Sequence, residues 1–225
     1  MTRPAIAARG IGREGQTLVT IDDFAADPDA LRAAACAARF EAAAHHYPGL
    51  RASLPDTYMR EQMPVITTVL RNIFGRYGPV RLIDASFSIV TTPPDALTVA
   101  QRLPHCDAFT PDRIALVHFL GPDSDEGTAF FRHRSTGFES VNEARRPLYA
   151  DRLDAELREC GPLPNAYVTS DTPLFDRIAL AEARYNRALI YPSFLLHSGM
   201  IAPEATLSPS PVTGRLTVTG FFSVG

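Results

Sequence analysis

The chain contains no lysine, and all 22 of its basic residues are arginine. A lysine Schiff base and a P-loop both require a lysine side chain, so these two kinds of enzyme mechanism are excluded. The formal net charge is -3 over 225 residues, which gives no long-range attraction to polyanions. We therefore expect no nucleic-acid partner and no binding to an anionic membrane surface.

Cysteine is also scarce. The chain has only Cys36, Cys106 and Cys160, and none of them forms a CxxC pair. An odd number of separate thiols is typical of a reducing compartment and argues against a disulfide framework. The N-terminal residues include no apolar stretch of the kind that a signal peptide needs. No apolar run approaches the roughly 18 residues of a membrane span. The expectation is a soluble, cytoplasmic protein.

Hydrophobic residues make up 45% of the chain, which is enough for a full core. The sequence patterns predict a strand at 16–24 and two helices at 27–44 and 64–78, the first of them capped by Asp27. Short β-branched runs separated by turn residues then predict strands at 80–92, 113–121, 128–134, 177–193 and 214–224.

The order of these elements predicts an α+β fold. Helices come first and seven or eight strands follow. This order suggests a jelly-roll or cupin-like barrel, a double-stranded β-helix with the N-terminal helices packed outside it. We expect a single domain over residues 1–225, with a strand and helices in 1–79 and the barrel core in 80–225. The more polar segment near 140–176 is interpreted as an insertion between strands.

The stretch "LPHCDAF" at 103–109 places His105 and Asp107 two residues apart. Alternate residues of an extended segment point to the same side, so both side chains could face one point inside a barrel. Pro104 favours an extended conformation at Leu103, which suits a strand edge or a turn. An isolated His-x-Asp motif is more often a pair of surface residues. A metal site therefore requires a third ligand from elsewhere in the chain.

His197 is the candidate for that third ligand. It ends the apolar run "ALIYPSFLLHSG", where it could face the barrel mouth, although a hydrogen-bonded histidine near the core is an equal alternative. Two histidines and one carboxylate on one side of Fe(II) leave positions open for a co-substrate and O2. His118, in the apolar strand "IALVHFL", is interpreted as a hydrogen-bonded interior residue. His45 and His46 are interpreted as a solvated helix end.

Two pairs of residues are candidates for binding anions. Arg215 and Thr217 in "GRLTVTG" would share one face of a strand. A buried arginine there needs either a distant acidic partner, which is the simpler alternative, or a ligand carboxylate. Arg132 and Arg134 in "FRHRSTG" could receive an anionic substrate group at the barrel mouth, unless they form charge pairs on a solvated turn.

Taken in order, "PHCD", "LLHSG" and "GRLT" resemble the 2-oxoglutarate- and Fe(II)-dependent dioxygenase superfamily. The opening "LVTIDDFAADPDALR" is similar to the N-terminal strand and helix of its prolyl-4-hydroxylase-like members. The stretches "GTAFFRH" and "YNRALIYPS" resemble a bacterial family known as DUF6445. Together these segments extend over most of the chain, from about residue 16 to residue 224.

The resemblance implies that His105, Asp107 and His197 bind Fe(II). It implies that Arg215, assisted by Thr217, holds the distal carboxylate of 2-oxoglutarate. The implied reaction is the hydroxylation, with O2, of a small-molecule substrate or an amino-acid-like group. Two alternatives stay open: a cupin-like metal enzyme that does not use 2-oxoglutarate, and a non-catalytic ligand-binding barrel. A homodimer is a candidate assembly.

One position departs from the pattern of this superfamily. Many relatives place a tyrosine that touches 2-oxoglutarate on a strand before the HxD pair. This chain has "DASFSIV" at that place, which offers Ser86, Phe87 and Ser88 instead. The side contacts to the co-substrate are therefore expected to differ.

Overall fold

The structure is a computed structural model and describes residues 3–43 and 46–225. Within these ranges the chain forms the strands β1 (Ala5–Ile11), β2 (Gln16–Asp22), β3 (Glu41–Ala42), β4 (Gly49–Ala52), β5 (Val80–Val90), β6 (Arg113–Phe119), β7 (Ser124–His133), β8 (Phe175–Ala183), β9 (Ala188–Pro192), β10 (His197–Met200) and β11 (Leu216–Val224). The α-helices are α1 (Pro28–Ala37), α2 (Asp56–Asn72) and α3 (Arg146–Glu159). None of the described helices combines the length and apolar composition that crossing a bilayer requires.

The strands form two antiparallel sheets. The larger one has eight strands in the order β1-β2-β9-β6-β11-β5-β4-β3, and the smaller one has three in the order β10-β7-β8. Strands that are distant in sequence become neighbours, because β9 lies between β2 and β6 and β11 lies between β6 and β5. The predicted mixture of helices and antiparallel sheet is confirmed.

Helix α1 begins as the sequence predicts and ends earlier. The carboxylate of Asp27 accepts a hydrogen bond from the Ala30 amide at 2.9 Å, and Pro28 occupies the first helical position. The predicted end at residue 44 is wrong, because Ala38 is already extended and the chain then enters β3. Strand pairing overrides the helix propensity of the alanines here. Ala44 itself lies outside the described residues.

Helix α2 differs from the prediction at both ends. It begins at Asp56 and not at Pro64, and it ends at Asn72, before Gly75. Proline is common in the first turn of a helix, so the sequence pattern placed the start at this residue. In the structure Pro64 lies inside the helix, a position where its ring normally interrupts the hydrogen-bond pattern.

The predicted strand region at 177–193 forms two strands, β8 and β9. The chain turns between them at Asn186, whose φ of 62° is in the left-handed region, which asparagine tolerates better than most residues. The Asn186 side chain then accepts from the Ala25 amide and donates to the Ala25 carbonyl, both at 2.9 Å. This pair of hydrogen bonds ties the β8–β9 turn to the start of the helical region.

The two faces of the larger sheet bury different partners. One face packs against α1 and α2 in a cluster that includes Leu31, Tyr58, Ile66, Phe87, Ile114, Val218 and Phe222. The opposite face packs against the smaller sheet in a second cluster, which includes Ala115, Phe119, Phe130, Ala181, Leu189 and Tyr191. The space between the two sheets is therefore separate from the helix-facing core.

The segment at 140–176 lies between β7 and β8 and contains α3. Tyr149, Leu153 and Leu157 of this helix pack against a cluster that includes Phe131 and Phe175. The helix consequently covers one side of the smaller sheet.

Candidate metal centre

The HxD segment is fastened to the chain around β10 by backbone hydrogen bonds. The His105 amide donates to the His197 carbonyl at 2.8 Å, and the His197 amide donates to the His105 carbonyl at 2.9 Å. The Asp107 amide donates to the Ser193 carbonyl at 2.9 Å. Leu103 is extended, as expected for a residue before Pro104, and its side chain is buried. The segments around residues 105 and 197 are therefore neighbours, although they are far apart in sequence.

The side chains of His105, Asp107 and His197 converge on one point. Their candidate ligand atoms all lie within 4.8 Å of one another. Nε2 of His105 is 3.6 Å from Oδ1 of Asp107, and Nε2 of His197 is 3.4 Å from Oδ2. The two imidazole ring centroids are 4.5 Å apart. The structure thus brings together the three residues that the sequence proposed as metal ligands.

The hydrogen bonds of His197 select one tautomer of its ring. Nδ1 lies 2.9 Å from the Leu195 carbonyl oxygen, which can only accept, so Nδ1 carries the proton. Nε2 then has a free lone pair that faces Asp107, as a metal-binding histidine requires. Burial lowers the pKa of His197, so its ring is neutral at pH 7.

Asp107 supplies negative charge between the two rings. Its side chain is 17% exposed. Burial raises its pKa, but the nearby His197 and His105 lower it more, so the net shift of the Asp107 pKa is downward. A carboxylate flanked by two imidazoles is a donor set for a divalent transition metal.

A cavity of about 940 Å³ opens beside these three residues, in the space between the two sheets. Thr217, Thr219 and Phe221 of β11 line it, while Val218 and Phe222 face the helices. The cavity is also lined by the three candidate ligands and by Arg215. One cavity therefore joins the candidate metal centre to Arg215 and Thr217.

Arg215 lies just before β11, and its guanidinium retains hydrogen-bonding capacity. Nη2 donates to the Gly127 carbonyl. Nε is buried and has no hydrogen-bond partner among the described residues. The acidic neighbour that the sequence could not locate is Glu126, whose Oε2 is 3.7 Å from Nε, beyond hydrogen-bond distance. Glu126 bonds instead to the Ala202 amide at 2.9 Å. Burial lowers the pKa of Arg215.

Residues 2–222 match a known protein family, DUF6445, which is described as a family of unknown function. The chain belongs to the DUF6445 family. No curated protein matches it in sequence.

This DUF6445 chain is similar to solved structures of low sequence identity. It is similar to HygX from Streptomyces hygroscopicus with iron bound, with a TM-score of 0.54 and 12% identity over 92% of this chain and 82% of that one. It is also similar to SnoK, a non-heme alpha ketoglutarate dependent carbocyclase from nogalamycin biosynthesis, with a TM-score of 0.50 and 11% identity over 93% and 80%. At these identities the likeness shows a common fold.

Tyr47 is a cavity residue that sequence reasoning missed. It lies in the loop before β4, outside any periodic pattern, so no sequence signal indicated it. Its hydroxyl is buried and has no hydrogen-bond partner among the described residues. Burial raises the pKa of Tyr47, while the Arg215 and Arg51 guanidiniums and the neighbouring Thr217 and Ser88 lower it. In this DUF6445 chain Tyr47 and Arg215 therefore line the same cavity, although Tyr47 comes from a different segment than the one at 84–90 where the resemblance implies a tyrosine.

Arg132 and Arg134 of the DUF6445 chain are engaged elsewhere. Nη2 of Arg132 lies 2.6 Å from Asp176, and Nη2 of Arg134 lies 2.8 Å from the same carboxylate. Arg132 also lies 3.6 Å from Glu139. Neither arginine is among the described residues that line the cavity. The geometry favours the charge-pair alternative over a contact with substrate.

His118 is hydrogen-bonded inside the core, as the sequence predicts. Nδ1 lies 3.1 Å from the Tyr58 hydroxyl, and Nε2 lies 3.1 Å from Oδ1 of Asn186. The residue is fully buried, and burial lowers its pKa to about 4. It lies on the helix-facing side of the larger sheet and takes no part in the candidate metal centre. Of the remaining histidines, His45 lies outside the described residues.

Proposed function

We propose that this protein is an Fe(II)- and 2-oxoglutarate-dependent oxygenase that hydroxylates a small molecule or an amino-acid-like group. The observation that carries the proposal is the position of His105, Asp107, His197 and Arg215 around one cavity. A metal ion and a dicarboxylate would bind within the same cavity, which is what the reaction requires.

The three candidate ligands fit a divalent metal. Two ligand atoms at about 2.1 Å from one ion and at a right angle to each other lie about 3 Å apart. The two imidazole Nε2 atoms lie 3.4 and 3.6 Å from the Asp107 oxygens, and the three candidate ligand atoms lie within 4.8 Å of one another. Binding one ion would draw these atoms closer together. Two imidazoles and one carboxylate would leave the other side of the ion open. His105, Asp107 and His197 would hold Fe(II), which supplies the O2 chemistry when bound.

Arg215 would hold the distal carboxylate of 2-oxoglutarate. Its unpartnered Nε and the unpartnered hydroxyl of Tyr47 are two donors that a carboxylate could satisfy. Thr217 lines the cavity beside them, and its hydroxyl currently donates to the Ser88 carbonyl at 3.3 Å. A buried donor without a partner costs free energy, so a ligand that accepts from these groups would stabilise this part of the protein.

The overall reaction consumes one 2-oxoglutarate and one O2 for each substrate C–H bond. Oxidative decarboxylation of 2-oxoglutarate releases CO2 and gives succinate, which takes up one oxygen atom. The second oxygen atom enters the substrate as a hydroxyl group. The side chains of the protein would bind and orient the two organic molecules.

We further propose that residues 1–225 form one dioxygenase-like domain whose core is a double-stranded β-helix, with the N-terminal helices outside it. The antiparallel pairing of both sheets and the likeness in fold to HygX support this. In this arrangement residues 1–79 would supply a strand and helices, 80–225 the jelly-roll core, and 140–176 an insertion.

Anaerobic titration of the Fe(II) protein with 2-oxoglutarate tests the proposed function. We expect a visible absorption band that saturates at one equivalent, and succinate formation coupled to O2 uptake. Arg215→Gln should raise the 2-oxoglutarate dissociation constant about tenfold or more, because charge-assisted hydrogen bonds are lost, and should leave Fe(II) bound. Arg132→Gln is the control, since that arginine lies outside the cavity lining.

The position of Glu126 favours a second candidate, a cupin-like metal enzyme that does not use 2-oxoglutarate. Its carboxylate offers Arg215 a counter-charge within the protein, at 3.7 Å. In that case wild-type protein would bind Fe(II) but produce neither the absorption band nor succinate. Equal 2-oxoglutarate affinity of wild type and Arg215→Gln would show that our assignment of Arg215 is wrong.

A further inference from the structure

A second arginine, Arg51, lines the same cavity and has no part in the function proposed above. It lies on β4 and pairs with Ser88 of β5, which in turn pairs with Thr217 of β11. Residues that are paired across neighbouring strands point to the same face of a sheet. Arg51 therefore stands two strands away from the proposed co-substrate site, on the cavity side.

The charge of Arg51 is poorly compensated within the protein. Its Nη1 lies 3.4 Å from Oδ2 of Asp84, whose side chain is 55% exposed, and an exposed pair of this kind contributes little. Its Nε is buried and has no hydrogen-bond partner among the described residues. By contrast, Arg132 and Arg187 each contact a carboxylate at 2.6 Å.

Tyr47 contacts Arg51 and lines the same cavity. The Arg51 Cζ atom is 5.0 Å from the centroid of the Tyr47 ring, a distance that fits a cation–π contact. This contact orients the guanidinium. Arg51, Tyr47 and the candidate metal ligand Asp107 all line the same cavity.

We propose that Arg51 binds a carboxylate of the primary substrate, while Arg215 binds 2-oxoglutarate. This inference rests on the proposed function. The co-substrate has two carboxylates: one would chelate the metal and the other would occupy Arg215. A second buried guanidinium donor in the same cavity is left for an anion on another molecule. The substrate class is thus a small organic acid, held by a charge-assisted hydrogen bond beside the metal.

Calorimetric titration of the anaerobic Fe(II)–2-oxoglutarate complex tests this assignment with two matched pairs of probes. The pairs are phenylacetate with phenylacetamide and hexanoate with hexanamide, which differ in charge and hardly in size. We expect each carboxylate to bind wild type about tenfold or more tightly than its amide. Arg51→Gln should abolish this preference without changing 2-oxoglutarate affinity, and Arg51→Lys should restore part of it. Arg113→Gln, which removes the same charge from another part of the cavity lining, should keep the preference.

Each of three outcomes would overturn the assignment and leave the proposed function intact. Wild type could bind the amides as tightly as the carboxylates, or bind neither. Alternatively, Arg51→Gln could lose 2-oxoglutarate binding, which would make Arg51 a co-substrate residue. Failure of wild type to bind 2-oxoglutarate is seen in the first titration and counts against the proposed function. Should Arg51→Gln fail to fold, Asp84→Asn removes the competing carboxylate and should tighten carboxylate binding several-fold; no change would contradict the assignment.

Discussion

Lowering the pH from 7 to 5 should remove about 2 kcal/mol of folding free energy through one residue, His118. Asn186 Oδ1 can only accept, so Nε2 of His118 carries the proton and Nδ1 accepts from the Tyr58 hydroxyl. The pKa of His118 is about 4 in the folded protein, because of burial, against an ordinary value of 6.5. The unfolded chain therefore binds a proton on this residue at a higher pH than the folded chain does.

The sign and size follow from this difference in pKa. The folded-state pKa of His118 is depressed, so its contribution is fully present above pH 6.5 and is lost progressively as the pH falls towards 4. The difference between the folded and unfolded pKa values corresponds to about 3 kcal/mol when the loss is complete. At pH 5 the folded ring is still mostly neutral, and about 2 kcal/mol has been lost relative to pH 7.

Urea unfolding at several pH values, in wild type and in His118→Gln, measures this contribution. Glutamine can keep a polar contact to Tyr58 and Asn186 but does not titrate, so all other groups cancel in the comparison. We expect wild type to lose about 2 kcal/mol more than the variant between pH 7 and pH 5. An equal loss in both proteins, or an NMR titration of the His118 ring near pH 6.5, would refute the reasoning.

Two further predictions concern residues outside the cavity. Arg132→Gln should leave 2-oxoglutarate affinity unchanged and should lower the midpoint of thermal unfolding, because Arg132 contacts Asp176 and Glu139. Weaker 2-oxoglutarate binding of this variant in calorimetry would show that Arg132 belongs to the binding site. Asp27→Ala should lower the free energy of unfolding by about 1 kcal/mol, because the α1 amide of Ala30 loses its cap. Urea unfolding measures this loss, and an unchanged midpoint would show that the cap is replaced by water.

The three candidate metal ligands could be found from sequence because their signals are local and ordered. His105 and Asp107 are two residues apart, and His197 ends an apolar run, so each has a recognisable setting in the chain. Their side chains converge because residue 105 pairs with residue 197 across a β-bridge. The order of the motifs suggested that these residues are close, but the pairing itself is visible only in the structure.

Tyr47 and Arg51 could not be found in the same way. Both lie in or beside β4, a strand of four residues, which is too short to show a periodic pattern. The cavity-facing side of Arg51 follows from its register against Ser88, and register is a tertiary property. The start of α2 was mispredicted for a related reason, since the sequence pattern at Pro64 is that of a helix start.

The short span from Ser193 to His197 positions all three candidate metal ligands. It contributes one ligand directly, and its carbonyl oxygens at 193 and 197 anchor the amides of the two others, Asp107 and His105. The Cys106 thiol also donates to the Phe194 carbonyl, at 3.1 Å. The spacing of the three candidate ligands therefore depends on this one short span. Inserting or deleting one residue within it would shift the anchor of Asp107 relative to that of His105 and would separate the donor atoms.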